Sequence, residues 1–443
     1  MSKYLITGGK TLSGEVSIRG AKNASFKQII ASLLTDETVN LNNIPQISDV
    51  KITQSIASQL GSEIIKKGEH GIEITTNKIT KNIVPFGTGQ KSRSSFMFCA
   101  PLLVRNGQAS FPLPGGDALG NRPLDRLFDC LSKMNIEIQE ENNGFVTMKT
   151  NKLKNIDYTF SKPSHTVTET ILMIASLTPG QTILRNCGIE PEINDLIEML
   201  NSMSADIQRD KNNPKTIIIN GKKRLKGTNH QVISDRNEAV TFACAALATK
   251  GSVNILRINP SILKTFLDTI QSMGAEVDTG KDEVSIKWVK PLKATHIETG
   301  PEPMFMTDWQ AIFTLVLSQA VGCSSIIERV FPYRFQHINY LEEMGLKYQY
   351  FNPEVKDKDN YYEFNQESDS PDYFHGVKIY GPSKLQPIEI TINDLRAGAS
   401  VTIAALTAQG QSVIEGVEYI ERGYEKLTDR LCAIGADIKY IKT

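Results

Sequence analysis

Five short stretches of this 443-residue chain carry residue types that can grip an anion or move a proton. The first is Lys22-Asn23 in GAKNA, just before a run of small and apolar residues. An ammonium beside the unpaired amides of a helix start favours phosphate, although a solvated surface lysine has the same local sequence. The second is the loop from Leu113 to Asp125, LPGGDALGNRPLD, which offers an acid at Asp117 and a guanidinium at Arg122 on a glycine-rich backbone that could close over a ligand. Read alone, it is equally a flexible turn. Asp308 in TDWQ is either a helix cap or a general base. Asp394 and Arg396 in NDLRAGA stand before another small-residue helix, and Arg422 lies in ERGYE at the entry to the last helix. An Asp-x-Arg pair is often only a local ion pair.

A repeat brings these stretches into register. A small-residue helix, a strand, a connection, a second helix and a further strand recur six times, most clearly in ALATKGSVNILRINPSILKTFLDTIQSMGAEV and ALTAQGQSVIEGVEYIERGYEKLTDRLCAIGADI. The second helices end at Gly61, Asn135, Ser204, Gly274, Gly345 and Gly435, residues about 70 apart except for the last interval. Glycine and asparagine tolerate the left-handed conformation that ends many helices, and Ser204 is the poorest fit. The longer last interval falls in the polar stretch 352–377, which reads as a surface insertion. First helices such as EAVTFACAALA and AGASVTIAALTA are apolar or small nearly all round, so they belong inside with the sheets outside them.

Composition narrows the function classes. At this length two domains are expected. Lys plus Arg equals Asp plus Glu at 49 each, so no global field favours nucleic acid or an anionic membrane surface, and any anion site is built locally. The first residues lack a signal-peptide core and no apolar run approaches a membrane span, which predicts a cytoplasmic protein. The six cysteines are dispersed, without metal-ligand or pairing spacing, and read as free buried thiols.

Taken together, GAKNA, SRSS around Arg93, LPGG followed by GNRP, EPEI, SDR, PMFMTDWQAIFT, VFPYRF, DLRAGAS and ERGYEKL resemble the UDP-N-acetylglucosamine 1-carboxyvinyltransferase family over nearly the whole chain. The resemblance implies an α/β fold of two inside-out α/β barrel domains, each of three pseudo-symmetric repeats. Residues 1–22 with 234–443 would form one, and 23–233, carrying the catalytic loop 113–123, the other, with linkers near 22 and 233 as a hinge. It implies transfer of the enolpyruvyl group of phosphoenolpyruvate to the 3′-hydroxyl of UDP-N-acetylglucosamine, the first committed step of peptidoglycan synthesis, by a monomer that uses no metal or organic cofactor. By position, Lys22, Arg122 and Arg422 match phosphate-binding cations, Arg396 the arginine for the phosphoenolpyruvate carboxylate, and Asn23 a substrate contact. Arg93, Arg122, Pro123, Leu124, Asp125, Arg126, Lys162, Ser164, His165, Asp308 and Val330 match positions around the nucleotide sugar. Asp308 would be the base for the sugar hydroxyl, and Asp394 a further active-site carboxylate. Transfer to another nucleotide acceptor, and a binding paralogue without turnover, are the rival readings.

The chemistry suits these residue types. Protonating C3 of phosphoenolpyruvate makes C2 electrophilic, the hydroxyl adds there, and the tetrahedral adduct expels phosphate. Arginine forks match carboxylate and phosphate oxygens. The chain departs from the resemblance at Asp117, where the family's commonest loop has cysteine, and in the segment Lys162-Pro163-Ser164-His165-Thr166. Without a thiolate at residue 117 the epoxide antibiotic fosfomycin has nothing to alkylate, so turnover should be insensitive to it. To donate a proton near neutral pH, Asp117 must be held protonated against an ordinary value of about 3.9. Asp117→Asn should then abolish steady-state turnover in a phosphate-release assay, and full turnover in that variant would remove Asp117 as the acid.

Overall fold

The computed structural model describes residues 2–113 and 124–442. It divides into two compact units, one combining residues up to Arg19 with those from Ser234, the other lying between Gly20 and Ile233. Residues 20–22, expected with the first, go with the second. A Cβ on Gly20 would lie 1.7 Å from the Asn43 carbonyl oxygen, so only glycine fits there, and the Ala21 N–H donates to the Ile233 carbonyl at 2.7 Å. Each unit has its own apolar core.

The repeats are visible as six sheets with one strand order. In the first, Val39–Asn42 is central: it runs antiparallel to Gly71–Thr75, which pairs with Glu63–Lys67, and parallel to Thr228–Gln231 on its other side. Gln181–Arg185, Ser252–Leu256, Gly322–Ile327 and Gly410–Glu415 likewise have one antiparallel and one parallel neighbour, with a further strand antiparallel to the former. In the sixth sheet the parallel partner of Gln108–Pro112 shrinks to one bridge, Ile83 to Ser110, which leaves three strands. The expected barrel is therefore not a continuous one. Among the described residues each repeat's strands bond within their own sheet, so the inside-out layering is assembled from separate sheets.

Several sheets borrow a strand from far along the chain. Lys3–Gly8 lies between Gly410–Glu415 and Asp437–Ile441, joining the two ends of the sequence. Ser13–Ser17 completes the sheet of Ser252–Leu256 in the same way.

The small-residue helices occupy the interior, as their composition predicts. Every residue of Arg236–Ala248 is buried, and this helix packs with Gln310–Gln319 and Leu395–Thr407 at the centre of the first unit. The sheets cover them with one face, so Val284 and Ile286 of Glu283–Lys287 are buried while Glu283, Ser285 and Lys287 are exposed. In the first unit this brings residues at two helix starts, Asp308 and Arg396, into direct contact.

All six residues that end the second helices have positive φ, from 65° at Asn135 and 75° at Ser204 to 118° at Gly61. All six cysteines are free. Burial pushes the Cys187 thiol up to about 12 and raises Cys99, Cys130 and Cys244 as well. Cys323 and Cys432 depart from the expectation and are exposed, Cys323 because it lies at the outer end of the strand Gly322–Ile327. No helix is long and apolar enough to cross a membrane among the described residues.

A left-handed serine carries a Cβ clash that glycine lacks, about 1–2 kcal/mol before glycine's greater unfolded-state entropy is subtracted. Ser204→Gly should raise the unfolding free energy by about 0.5–1 kcal/mol, read as a shift of the urea midpoint without a change in slope. An unchanged or lower midpoint would show that Ser204 is not strained.

Candidate functional site

In the first unit the predicted residues gather at Asp308. It lies in the first turn of the short 3-10 helix Thr307–Trp309, whose N-cap is Met306, so its carboxylate is not spent on capping. One oxygen, Oδ1, accepts from Arg334 Nη2 at 2.5 Å and the other, Oδ2, from Arg396 Nη2 at 3.2 Å. Burial alone would raise the carboxyl's pKa, but the Arg396 and Arg334 guanidiniums outweigh it and hold it well below the usual carboxylate range. Asp308 is thus an anion held between two cations.

Arg396 is anchored from behind. Its Nη1 donates to the Tyr424 hydroxyl at 3.0 Å, which lies 2.8 Å from Thr241 Oγ1. Burial works against the guanidinium's charge, yet Tyr424, Asp308 and Asp235 together push its pKa upward, so it stays a cation. Asp394 is the N-cap of the helix Leu395–Thr407: its carboxylate accepts from the Arg396 and Ala397 amides at 2.9 and 2.8 Å. In this structure Asp394 therefore fixes the backbone from which Arg396 projects. Arg422 ends the 3-10 helix Val417–Arg422, two residues before Tyr424.

Val330 follows a buried carboxylate, Glu328. Glu328 accepts from the Val330 and Phe331 amides at 2.8 and 3.1 Å and from Thr307 Oγ1 at 2.9 and 3.0 Å. Burial raises its pKa, so two carboxylates linked through Thr307 and Asp308 are driven in opposite directions by their surroundings.

In the second unit Lys22 opens the helix Lys22–Ala31, whose N-cap Ala21 supplies no side-chain cap. Its ammonium lies 2.7 Å from Asp49, in the first turn of Ser48–Gln59. Asn23 is the next residue, half-buried. One turn on, Lys27 is buried with its ammonium 2.7 Å from Glu169 and 3.1 Å from His165 Nδ1. His165 Nδ1 also lies 3.5 Å from Glu169 Oε2, so the three side chains form one cluster. His165 opens the helix His165–Ala175, capped by Ser164, whose hydroxyl accepts from the Val167 amide at 3.4 Å. Lys162 is half-buried just before it, Arg93 opens the 3-10 helix Arg93–Phe98, and Leu124 precedes the helix Asp125–Lys133 that carries Asp125 and Arg126. Asp117, Arg122 and Pro123 lie outside the described residues.

Several participants were not singled out from sequence: Arg334, Glu328, Tyr424 and Thr241 around Asp308, and Asp49, Lys27 and Glu169 in the second unit. Arg334 and Tyr424 stand within VFPYRF and ERGYEKL. A lone lysine in FKQIIASLL and a lone glutamate in TETILMIA are charges on helices otherwise fit for burial, which buried pairing explains.

Comparison with known proteins gives one answer at the level of family. The family model described as EPSP synthase (3-phosphoshikimate 1-carboxyvinyltransferase) matches residues 6–431. The UDP-N-acetylglucosamine 1-carboxyvinyltransferase of Acinetobacter baylyi is 35% identical over 442 residues, 100% of both chains. Among solved structures, the enolpyruvyl transferase NikO from Streptomyces tendae aligns with a TM-score of 0.85 at 23% identity, over 99% of each chain. EPSP synthase from Acinetobacter baumannii aligns over 100% of both chains with a TM-score of 0.72 at 20% identity. These two structures speak for the fold, which is the one the sequence motifs imply.

The clamp has a pH consequence. A carboxylate whose folded pKa is depressed stabilises the fold above its unfolded value of about 3.9, and that contribution is lost as pH falls through the lower folded value. Arg334→Gln removes one of the two cations, so the folded value rises and the acid limb of stability moves to higher pH. The acid-unfolding midpoint of the variant should shift upward, with a loss of about 1–3 kcal/mol near neutrality. Coincident acid limbs for the two proteins would mean that Arg334 does not set the state of Asp308.

Proposed function

The chain belongs to the enolpyruvyl (carboxyvinyl) transferase family, and on that footing we propose that it transfers the 1-carboxyvinyl group of phosphoenolpyruvate to the 3′-hydroxyl of UDP-N-acetylglucosamine, releasing phosphate. The observation that carries the reading is Asp308 gripped by Arg334 and Arg396. The full-length likeness to a transferase named for that acceptor supports it.

Arg396 is the group for the phosphoenolpyruvate carboxylate. A substrate carboxylate that takes Arg396 draws it from Asp308 Oδ2, removes part of the field that depresses Asp308, and so raises the basicity of that carboxylate once the donor substrate is in place. Asp308 then accepts the proton of the acceptor hydroxyl, whose oxygen bonds to C2 as C3 gains a proton. The adduct loses that C3 proton, or its equivalent, as the bond from C2 to the phosphate oxygen breaks. Lys22, Arg122 and Arg422 are the cations assigned to the leaving phosphate, and Asp117 the proton donor to C3. Tyr424 and Asp394 act on Arg396 by fixing its side chain and its backbone. On this reading the product is a precursor of the peptidoglycan wall.

A second acceptor has one observation in its favour. His165, at a position matched to the nucleotide, lies 3.1 Å from the Lys27 ammonium within the segment 162–166 where the chain departs from the resemblance. This departure favours a different nucleotide acceptor as the second reading.

The test is phosphate release from phosphoenolpyruvate with UDP-N-acetylglucosamine, UMP or shikimate 3-phosphate as acceptor. Release with the nucleotide sugar alone is expected, while release only with UMP would move the assignment to the second acceptor. Asp308→Asn should lower kcat by about 10²–10⁴, and Arg396→Ala should lower kcat/KM for phosphoenolpyruvate by about 10²–10³. Full activity in either variant would remove the residue from its role.

A further inference from the structure

The connection between the last two strands of a repeat is short at 68–70, 141–144 and 280–282, and longer at 210–216. Between Tyr348–Phe351 and Gly376–Gly381 it runs over 352–375. The extra chain is not the purely surface insertion that its polar composition suggests. Tyr362, Phe364 and His375 are buried, with Tyr362 stacked on Phe364 at 4.8 Å and His375 4.9 Å from Tyr362. Asp369 accepts from His375 Nε2 at 3.1 Å.

The segment has its own small core, and that core is tied to residues 328–335. The Glu363 amide donates to the Arg329 carbonyl at 2.7 Å, and Arg329 Nε donates to the Tyr361 carbonyl at 2.9 Å with the guanidinium 4.3 Å from the Tyr361 ring. The Glu328 amide donates to the His375 carbonyl at 2.8 Å, and Tyr373 stacks on Tyr333 at 4.7 Å. The stretch so held contains Glu328, which fixes the Val330 and Phe331 amides, and Arg334, which grips Asp308.

We infer that residues 352–375 are a positioning strap for the acceptor side of the site, setting the loop that presents Val330 and the arginine that sets Asp308. The inference rests on the function proposed above. Its logic is geometric: backbone bonds at Glu328 and Arg329 and a ring stack at Tyr333 hold the loop 328–335 by means of a connection that three other repeats leave to a short turn. The donor-substrate arginine, Arg396, comes from a different repeat, is anchored by Tyr424 and lies outside the strap's direct contacts.

Two variants test it in the full-length protein: 353–374 replaced by a three-residue turn, and Tyr373→Ala, which removes the ring that half-buried Tyr373 stacks on exposed Tyr333 and keeps the test available if the first does not fold. The expected result is a KM for UDP-N-acetylglucosamine raised about tenfold in the shortened chain and about threefold in Tyr373→Ala, with KM for phosphoenolpyruvate within about twofold. Hydrogen exchange at the Val330 and Phe331 amides should quicken in both. A lower melting temperature with both KM values and both exchange rates unchanged would overturn the strap. If the unaltered protein turns over none of the acceptors, the functional reading fails, and the exchange rates alone decide the strap: faster exchange upholds it and unchanged exchange overturns it.

Discussion

One carboxylate between two guanidiniums organises the first unit. Asp308 comes from the start of the fifth repeat's central helix, Arg334 from the loop after that repeat's first strand, and Arg396 from the start of the sixth repeat's helix. Tyr424 and Thr241, from the sixth and fourth repeats, hold Arg396 in turn. Such a cluster requires helix starts from three repeats to converge. That is possible because the helices are the buried layer and pack on one another, while the sheets face outward. The reversed layering and the cluster are thus one constraint seen at two scales.

The second unit meets the same demand with different chemistry. Its central helices bury whole charges, Lys27 against Glu169, and the polar pair Gln28 and Asp195, to which half-buried His230 of the strand Thr228–Gln231 is joined; the Asp195 carboxylate also accepts from the Ile233 amide at 3.3 Å. Buried ion pairs contribute little net stability but penalise any packing that separates them. Here they fix the register of the helix that begins with Lys22, because Lys27 and Gln28 lie on its first two turns. Asp195, by holding Ile233, also ties that helix to the end of the unit, since the Ile233 carbonyl accepts from Ala21.

Much of this was legible in the sequence for identifiable reasons. The repeat and the burial of the small-residue helices follow from composition and from the left-handed ends at Gly61 through Gly435, both of which are local signals. Asp308 and Arg396 were legible as residue types, each within a motif that drew attention to it. Their direct contact was not, because 88 positions separate them and only the packing of two repeats brings them together. Tyr424 and Glu328 escaped for a related reason: a tyrosine hydroxyl and a glutamate are unremarkable until burial shows which partners they must have. The polar stretch 352–377 misled because its charges are outermost, while the three rings that give it a core are scattered between them.

The strand Lys3–Gly8 has a consequence for how the molecule is made. Its hydrogen-bonding partners, Gly410–Glu415 and Asp437–Ile441, are synthesised some four hundred residues after it. The central segment can close its three sheets as soon as Thr228–Gln231 emerges. Throughout that interval the strand Lys3–Gly8 waits without these partners. Folding is therefore nested in sequence, with the unit between Gly20 and Ile233 formed first and the other completed only when Lys3–Gly8 meets its late partners. During that interval an open edge is the feature most exposed to mispairing and to the chaperones that guard against it.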